Sequence, residues 1–104
     1  MIQPRVRQLV EKQCPPEMRA EVLDLLNDKC TASAFHIRDT AAQLLERIQM
    51  AIIRKSDWNP QFMATTIERD SVDFRDLLMA RGFGHDTEAH IDWWKTAMKT
   101  GQTD

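Results

Sequence analysis

The sequence predicts an all-α protein: a single small domain of five or six helices, arranged as a bundle or an orthogonal array around one long central helix. The chain has 104 residues, of which only three are glycine and four are proline. Residues of high helix propensity are plentiful. Several segments repeat apolar residues at intervals of three and four, the spacing that places them on one face of an α-helix.

The longest of these segments covers residues 34–55 and contains neither glycine nor proline. We therefore expect a central helix over about 33–55, with Thr31 or Ser33 as its N-cap. More than half of its circumference is apolar, so it must be covered on two sides, by its own chain or by a second copy. Its apolar positions are Ala34, Phe35, Ile37, Ala41, Ala42, Leu44, Leu45, Ile48, Ala51, Ile52 and Ile53.

Two amphipathic segments precede the central helix. The first follows Pro4 and continues to Gln13, where the Cys14-Pro15-Pro16 run ends it, since a residue before proline avoids helical backbone. Pro16 suits the first position of the second helix, which we place over Glu17 to Asp28. The predicted inward side chains of these two helices are Val6, Leu9, Val10, Met18, Val22, Leu25 and Leu26.

Three further helices are predicted in the second half of the chain, from residue 60 onward. Asn59 is placed as the N-cap of a short helix that begins at Pro60 and ends near residue 69. Its adjacent threonines, Thr65 and Thr66, are β-branched, so a strand is the alternative there. The next helix covers about 70–81 with Gly82 as its stop, and the last covers 86–99. We expect one domain over residues 1–100 and a flexible tail at 101–104.

Charge and cysteine content exclude several classes of function. The net charge is −2 and the isoelectric point about 5.9, so there is no general attraction to nucleic acid or to an anionic membrane. The chain has no apolar run of about 18 residues that could span a bilayer. We expect a cytoplasmic protein. Cys14 and Cys30 match no metal-binding or redox spacing, and we expect them to be reduced.

Catalysis and metal binding find little support in the sequence. Cys14 precedes a helix start, which can lower the pKa of a thiol, but no histidine is near it in sequence. The segment 85–92 contains His85, Asp86, Glu88, His90 and Asp92, but only Asp86 and His90 share a helix face. A metal site would need a distant ligand such as His36. We predict no metal and no cofactor, and we keep a metal-dependent helical enzyme as the last alternative.

Residues 71–99 have the outline of a helix-turn-helix, with Gly82 and Gly84 in the turn. The first turns of its second helix would present Asp86, Glu88 and Asp92 to DNA. These charges have the wrong sign for contact with phosphate. A DNA-binding transcriptional regulator is therefore the first alternative and not the main prediction.

Surface recognition has the strongest support. Trp93 and Trp94 lie about 100° apart around one helix, so both can be buried only if the core extends widely around them. Trp58 lies in a loop, and residues 57–104 carry five basic and nine acidic side chains. We therefore predict a non-enzymatic interaction module, such as an adaptor, regulatory subunit or immunity-type inhibitor, that binds a basic protein and could form a homodimer. The predicted contact residues are Trp58, Trp93, Trp94, Asp86, Glu88 and Asp92.

Overall fold

A computed structural model describes residues 2–38, 41–71, 74–80, 83 and 88–100. Over these residues the chain forms six α-helices and no strand, so the predicted class, a small all-α domain, is confirmed. The predicted tail and the predicted helix stop at Gly82 lie outside the described residues. The helices are α1 (Pro4–Gln13), α2 (Pro16–Asp28), α3 (Ala42–Ser56), α4 (Pro60–Asp70), α5 (Phe74–Ala80) and α6 (Ala89–Thr100).

Proline sets the start of three helices, as the sequence predicts. Pro4, Pro16 and Pro60 each occupy the first helical position, where the missing N–H has no intrahelical acceptor to lose. At the start of α4 the Asn59 side chain accepts a hydrogen bond of 2.9 Å from the backbone N–H of Phe62. The alternative of a strand at the two threonines is wrong, because α4 is continuous through them.

The central helix is shorter than predicted, because it begins at Ala42 and not near residue 33. Thr31 does act as a cap, since its hydroxyl oxygen accepts from the N–H of Ala34 at 3.2 Å, but it caps only a turn. That turn ends at His36, whose φ of 58° is left-handed. The turn buries Phe35 in the core. Its apolar residues therefore serve the core as a helix face would, and their spacing in the sequence does not distinguish the two.

The core covers most of the circumference of α3. This helix packs against α1, α4, α5 and α6, and α2 completes the array by packing on α1 and α4. The chain thus supplies the cover that the apolar circumference of α3 requires, and the helix itself gives no reason for a second copy. The buried residues of α3 are Leu45, Glu46, Ile48, Gln49, Met50, Ala51, Ile52, Ile53 and Ser56.

Several polar side chains in this core have partners, although Nδ1 of the buried His90 has none among the described residues. The amide of Gln49 donates to the carbonyl oxygen of Cys30 at 3.0 Å and accepts from the N–H of Gln3 at 3.1 Å. The Lys55 ammonium lies 3.1 Å from the Asp70 carboxylate and joins the end of α3 to the end of α4. Such bonds offset the cost of burying polar atoms. Among the described residues, no helix is both long and apolar enough to cross a membrane.

Candidate functional site

The two adjacent tryptophans of α6, Trp93 and Trp94, contact different neighbours. The indole N–H of Trp94 donates to the carbonyl oxygen of Arg5 at 3.0 Å, and the Arg5 guanidinium carbon lies 5.8 Å from the centre of the Trp94 ring. The Trp93 ring lies beside Phe83, with ring centroids 5.9 Å apart. Both indoles are half-buried. The predicted pair therefore does not form one patch.

Trp93 and Trp58 line one groove, although they are distant in sequence. The groove lies where α1, the end of α3 and α6 meet, and it encloses about 260 Å³. We call it the aromatic groove. Trp94, Glu88 and Asp92 are not part of its lining, and Asp86 lies outside the described residues. The lining residues are Leu9, Gln13, Ile53, Arg54, Asp57, Trp58, Trp93 and Ala97.

The backbone at the groove is strained. Asp57 and Trp58 are consecutive left-handed residues, with φ of 49° and 66°. At the end of a helix, a residue in the left-handed conformation is usually glycine or asparagine. Aspartate tolerates it better than most residues, but for a side chain as large as that of Trp58 it is an outlier that costs about 1–2 kcal/mol. Strain of this kind collects at functional sites, where the surrounding structure holds it in place.

The elements around the strained loop are well anchored. The N–H of Asp57 donates to the carbonyl oxygen of Ile53 at 2.9 Å and closes the last turn of α3. Beneath the groove, Leu9 and Ile53 are buried in the core. The side-chain amide of Gln13 donates to the carbonyl oxygen of Ala97 and ties α1 to α6. The groove is therefore preformed on rigid helices.

The two charged residues of the groove are in different situations. The guanidinium carbon of Arg54 lies 5.6 Å from the centre of the Phe83 ring and 5.8 Å from that of Trp93, within the range of a cation–π interaction. The Asp57 side chain is exposed, and within the described ranges its carboxylate has neither a hydrogen bond nor an ion pair. Arg54 thus contacts two aromatic rings, whereas Asp57 has no side-chain partner among the residues that the structure describes.

A second polar group joins α1, α3 and α6, with its carboxylate and its imidazole buried and its guanidinium partly exposed. Nη1 of Arg5 donates to both carboxylate oxygens of Glu46, at 3.1 and 3.3 Å. Nε2 of His90 lies 2.9 Å from Oε1 of the same carboxylate. Glu46 is 6% exposed and His90 is fully buried. We call these three residues, together with Trp94 over Arg5, the buried polar cluster.

The buried polar cluster does not have the composition of a reactive centre. A cavity of about 380 Å³ beside it is lined by Gln3, Arg5, Ala42, Gln43, Glu46 and Ile91. This lining offers no serine, threonine or cysteine, and His90 is not part of it. In the described part of the chain, no three histidine, cysteine or acidic residues are grouped closely enough to hold a metal ion. Of the residues weighed for such a site in the sequence, His85 and Asp86 lie outside that part.

The two thiols are not activated. Cys14 and Cys30 are free and buried. Burial raises the pKa of Cys30 far above its ordinary value. Burial also raises the pKa of Cys14, although the nearby Arg19 guanidinium acts in the opposite direction. The helix start after Cys14 therefore does not make it a reactive thiolate, contrary to the effect that its position in the sequence suggested.

Sequence reasoning missed Glu46, Arg54 and Asp57. A glutamate on an amphipathic helix is expected to face solvent. The pairing of Glu46 with Arg5 and His90 could not be foreseen from spacing, because those residues are more than 40 positions away. Asp57 had a signal in the sequence. Only three residues, 57–59, separate the end of α3 from Pro60, and so short a reversal between helices calls for left-handed backbone.

Comparison with known proteins does not place the chain in a family: no family model, no curated protein and no solved structure matches it significantly.

Proposed function

We propose that the protein is a non-enzymatic interaction module that binds another protein through the aromatic groove. The observation that carries this proposal is the left-handed Trp58, held beside Trp93 at the surface. Trp58 packs partly against the core, and the rest of its indole lines the groove. Tryptophan is strongly enriched among the residues that dominate binding energy at protein interfaces.

The size of the groove favours a side chain of a macromolecule over a small-molecule ligand. Its 260 Å³ lies below the range of roughly 300–1,000 Å³ that is usual for pockets enclosing drug-sized molecules. An interface needs only one or two such anchor positions, with a weaker rim around them. The groove is suited to receive an anchor residue of a partner.

The solvent-exposed face of α6 gives little support to the prediction of an acidic contact surface. Glu88 and Asp92 are exposed, but so are Lys95 and Lys99 further along the helix. This mixed face does not attract one sign of charge. Its first turns still oppose a DNA phosphate backbone, so no observation favours the helix-turn-helix alternative. We therefore centre the proposed contact on Trp58, Trp93 and Asp57.

Site-specific photo-crosslinking tests the proposal. A photoreactive amino acid replaces exposed Arg54 at the groove, and in a second protein it replaces exposed Glu21 on α2 as a matched control. Both proteins are irradiated in a lysate of the source cells, with and without nuclease. We expect one adduct from the groove position that persists with nuclease, is absent from the control and disappears with Trp58→Ala.

Three outcomes would contradict the proposal. They are equal adducts from both positions, an adduct that survives Trp58→Ala, and an adduct that is lost with nuclease. The last would shift the interpretation toward nucleic acid. Circular dichroism of each variant establishes that it is folded before the adducts are compared.

A further inference from the structure

We infer that the anchor residue of the partner is an arginine or lysine, whose aliphatic part lies between Trp58 and Trp93 and whose charged head meets Asp57. This inference rests on the proposed function and specifies its ligand chemistry. It depends on three features of the aromatic groove: the different partners of its two charges, its pair of indoles, and the left-handed backbone of Asp57 and Trp58.

The charge available to a ligand is negative. Arg54 is held over Phe83 and Trp93, whereas the Asp57 carboxylate is exposed and has no partner among the residues that the structure describes. An acidic ligand in the groove would face the Asp57 carboxylate, which repels it. A basic ligand gains an ion pair with Asp57 and leaves those ring contacts in place.

The indoles suit the remainder of a basic side chain. Lysine and arginine lay their methylene groups along apolar surface and keep the charged head in water. The face of an indole attracts a cation more strongly than the other aromatic rings do. Since Arg54 already occupies Trp93 and Phe83, the indole of Trp58 is the face left for the incoming cation.

The left-handed backbone links the two ligand groups. Asp57 and Trp58 are adjacent, and in an extended or helical backbone adjacent side chains point in different directions. Here both line the same groove, and the strained turn is the local structure that brings them there. The left-handed backbone of Asp57 and Trp58 therefore places a carboxylate and an indole in the same groove.

Blocked tripeptides with a central arginine, lysine, citrulline or glutamate between glycines provide a direct test. The NMR signals of the three indole N–H groups report on the two regions separately, because Trp58 and Trp93 line the groove and Trp94 does not. We expect saturable shifts of the Trp58 and Trp93 signals with arginine and lysine, and none at Trp94. Citrulline, which has the shape of arginine without its charge, should bind about fivefold more weakly, the loss expected for one exposed ion pair.

Asp57→Asn is the matched variant, because asparagine also tolerates the left-handed conformation. It should weaken arginine and lysine binding about fivefold and leave citrulline binding unchanged. The inference is overturned if citrulline or glutamate binds as well as arginine, if Trp94 shifts equally, or if no peptide gives a saturable shift.

The two proposals fail in different ways. If the photo-crosslinked partner is found but neither Asp57→Asn nor an excess of the arginine peptide reduces the adduct, the ligand chemistry is wrong and the interaction module stands. If the peptides bind as expected and no groove-specific adduct forms in the lysate, the site for a basic group stands and the proposed function fails.

Discussion

The aromatic groove and the buried polar cluster are built from the same kinds of residue and behave as opposites. Each has an arginine stacked on a tryptophan of α6 and a carboxylate near α3. Glu46 is buried and bonded to two partners, whereas Asp57 is exposed and, in the described part of the molecule, has none. The comparison teaches that residue type does not decide the role of a site. A satisfied, buried carboxylate holds helices together, and an unsatisfied, exposed one is available to a ligand.

The largest expected effect is that of Glu46→Ala. Removing this carboxylate leaves His90 buried without its partner and removes the ion pair that links α1 to α3. We expect a loss of about 3–5 kcal/mol in the free energy of unfolding, measured by urea denaturation. The side chain of Arg5 is 45% exposed and can be rehydrated, which places the value toward the lower end.

Glu11→Ala, at an exposed position of α1, is the control for Glu46→Ala and should change little. A loss below about 1 kcal/mol for Glu46→Ala would break the comparison, because the carboxylate would then be no more structural than a surface charge. The cavity beside Glu46 would in that case become the better candidate for a ligand site.

Burial of the Cys30 thiol should also make the free energy of unfolding depend on pH in the alkaline range. Burial raises the pKa of Cys30 above its ordinary value of 9.0, so the thiol stays protonated when folded and ionises when unfolded. Its contribution to stability is therefore complete below about pH 9 and is lost as the pH rises further, at about 1.4 kcal/mol per pH unit.

Urea denaturation at several pH values from about 8 to 10, in the presence of a reductant, measures this slope. Cys30→Ala should flatten it. If the variant and the wild type lose stability in parallel above pH 9, then groups other than this thiol are responsible. The sign is the same for Cys14, whose pKa is also raised by burial.

Asp57→Gly tests whether the exposed carboxylate of the groove serves binding and not stability. Glycine adopts the left-handed conformation without steric penalty but loses more backbone entropy on folding, so the free energy of unfolding should rise by at most about 1 kcal/mol. Binding of the arginine peptide should weaken at the same time, because the carboxylate is lost. Stability and binding would then move in opposite directions, as they do where strain serves a site. A variant that is less stable than the wild type would show that the Asp57 side chain contributes to the fold, as Glu46 does.

The smallest expected effect separates the two tryptophans of α6. Trp94→Phe removes the hydrogen bond to the carbonyl oxygen of Arg5 and should cost about 0.5–1.5 kcal/mol in thermal or urea unfolding. It should leave peptide binding unchanged, whereas Trp93→Phe should weaken it. Equal effects of both changes on binding would mean that the groove and the buried polar cluster act as one site.

Much of the fold could be read from local signals. Three prolines and Asn59 mark helix starts because their effects act within one turn of backbone. The side chains of α6 that pack on the core also recur at helical spacing, and they are Ala89, Trp93, Trp94, Ala97 and Met98. The start of α3 could not be read in this way. The turn that ends at His36 places apolar side chains in the core at intervals that a helix would also use.

The sequence by itself determined the fold class, most helix boundaries and the separation of polar from apolar faces, since these depend on interactions between residues close in the chain. Tertiary structure alone decided which charges are satisfied and which tryptophans meet. Trp58 and Trp93 line the same groove although they are distant in sequence, whereas Trp94, the neighbour of Trp93, does not line it. The reason is that the groove forms only when α1, α3 and α6 pack together. Long-range packing leaves no periodic trace in the chain, and for that reason the role of Glu46 and the setting of Asp57 emerge only from the folded molecule.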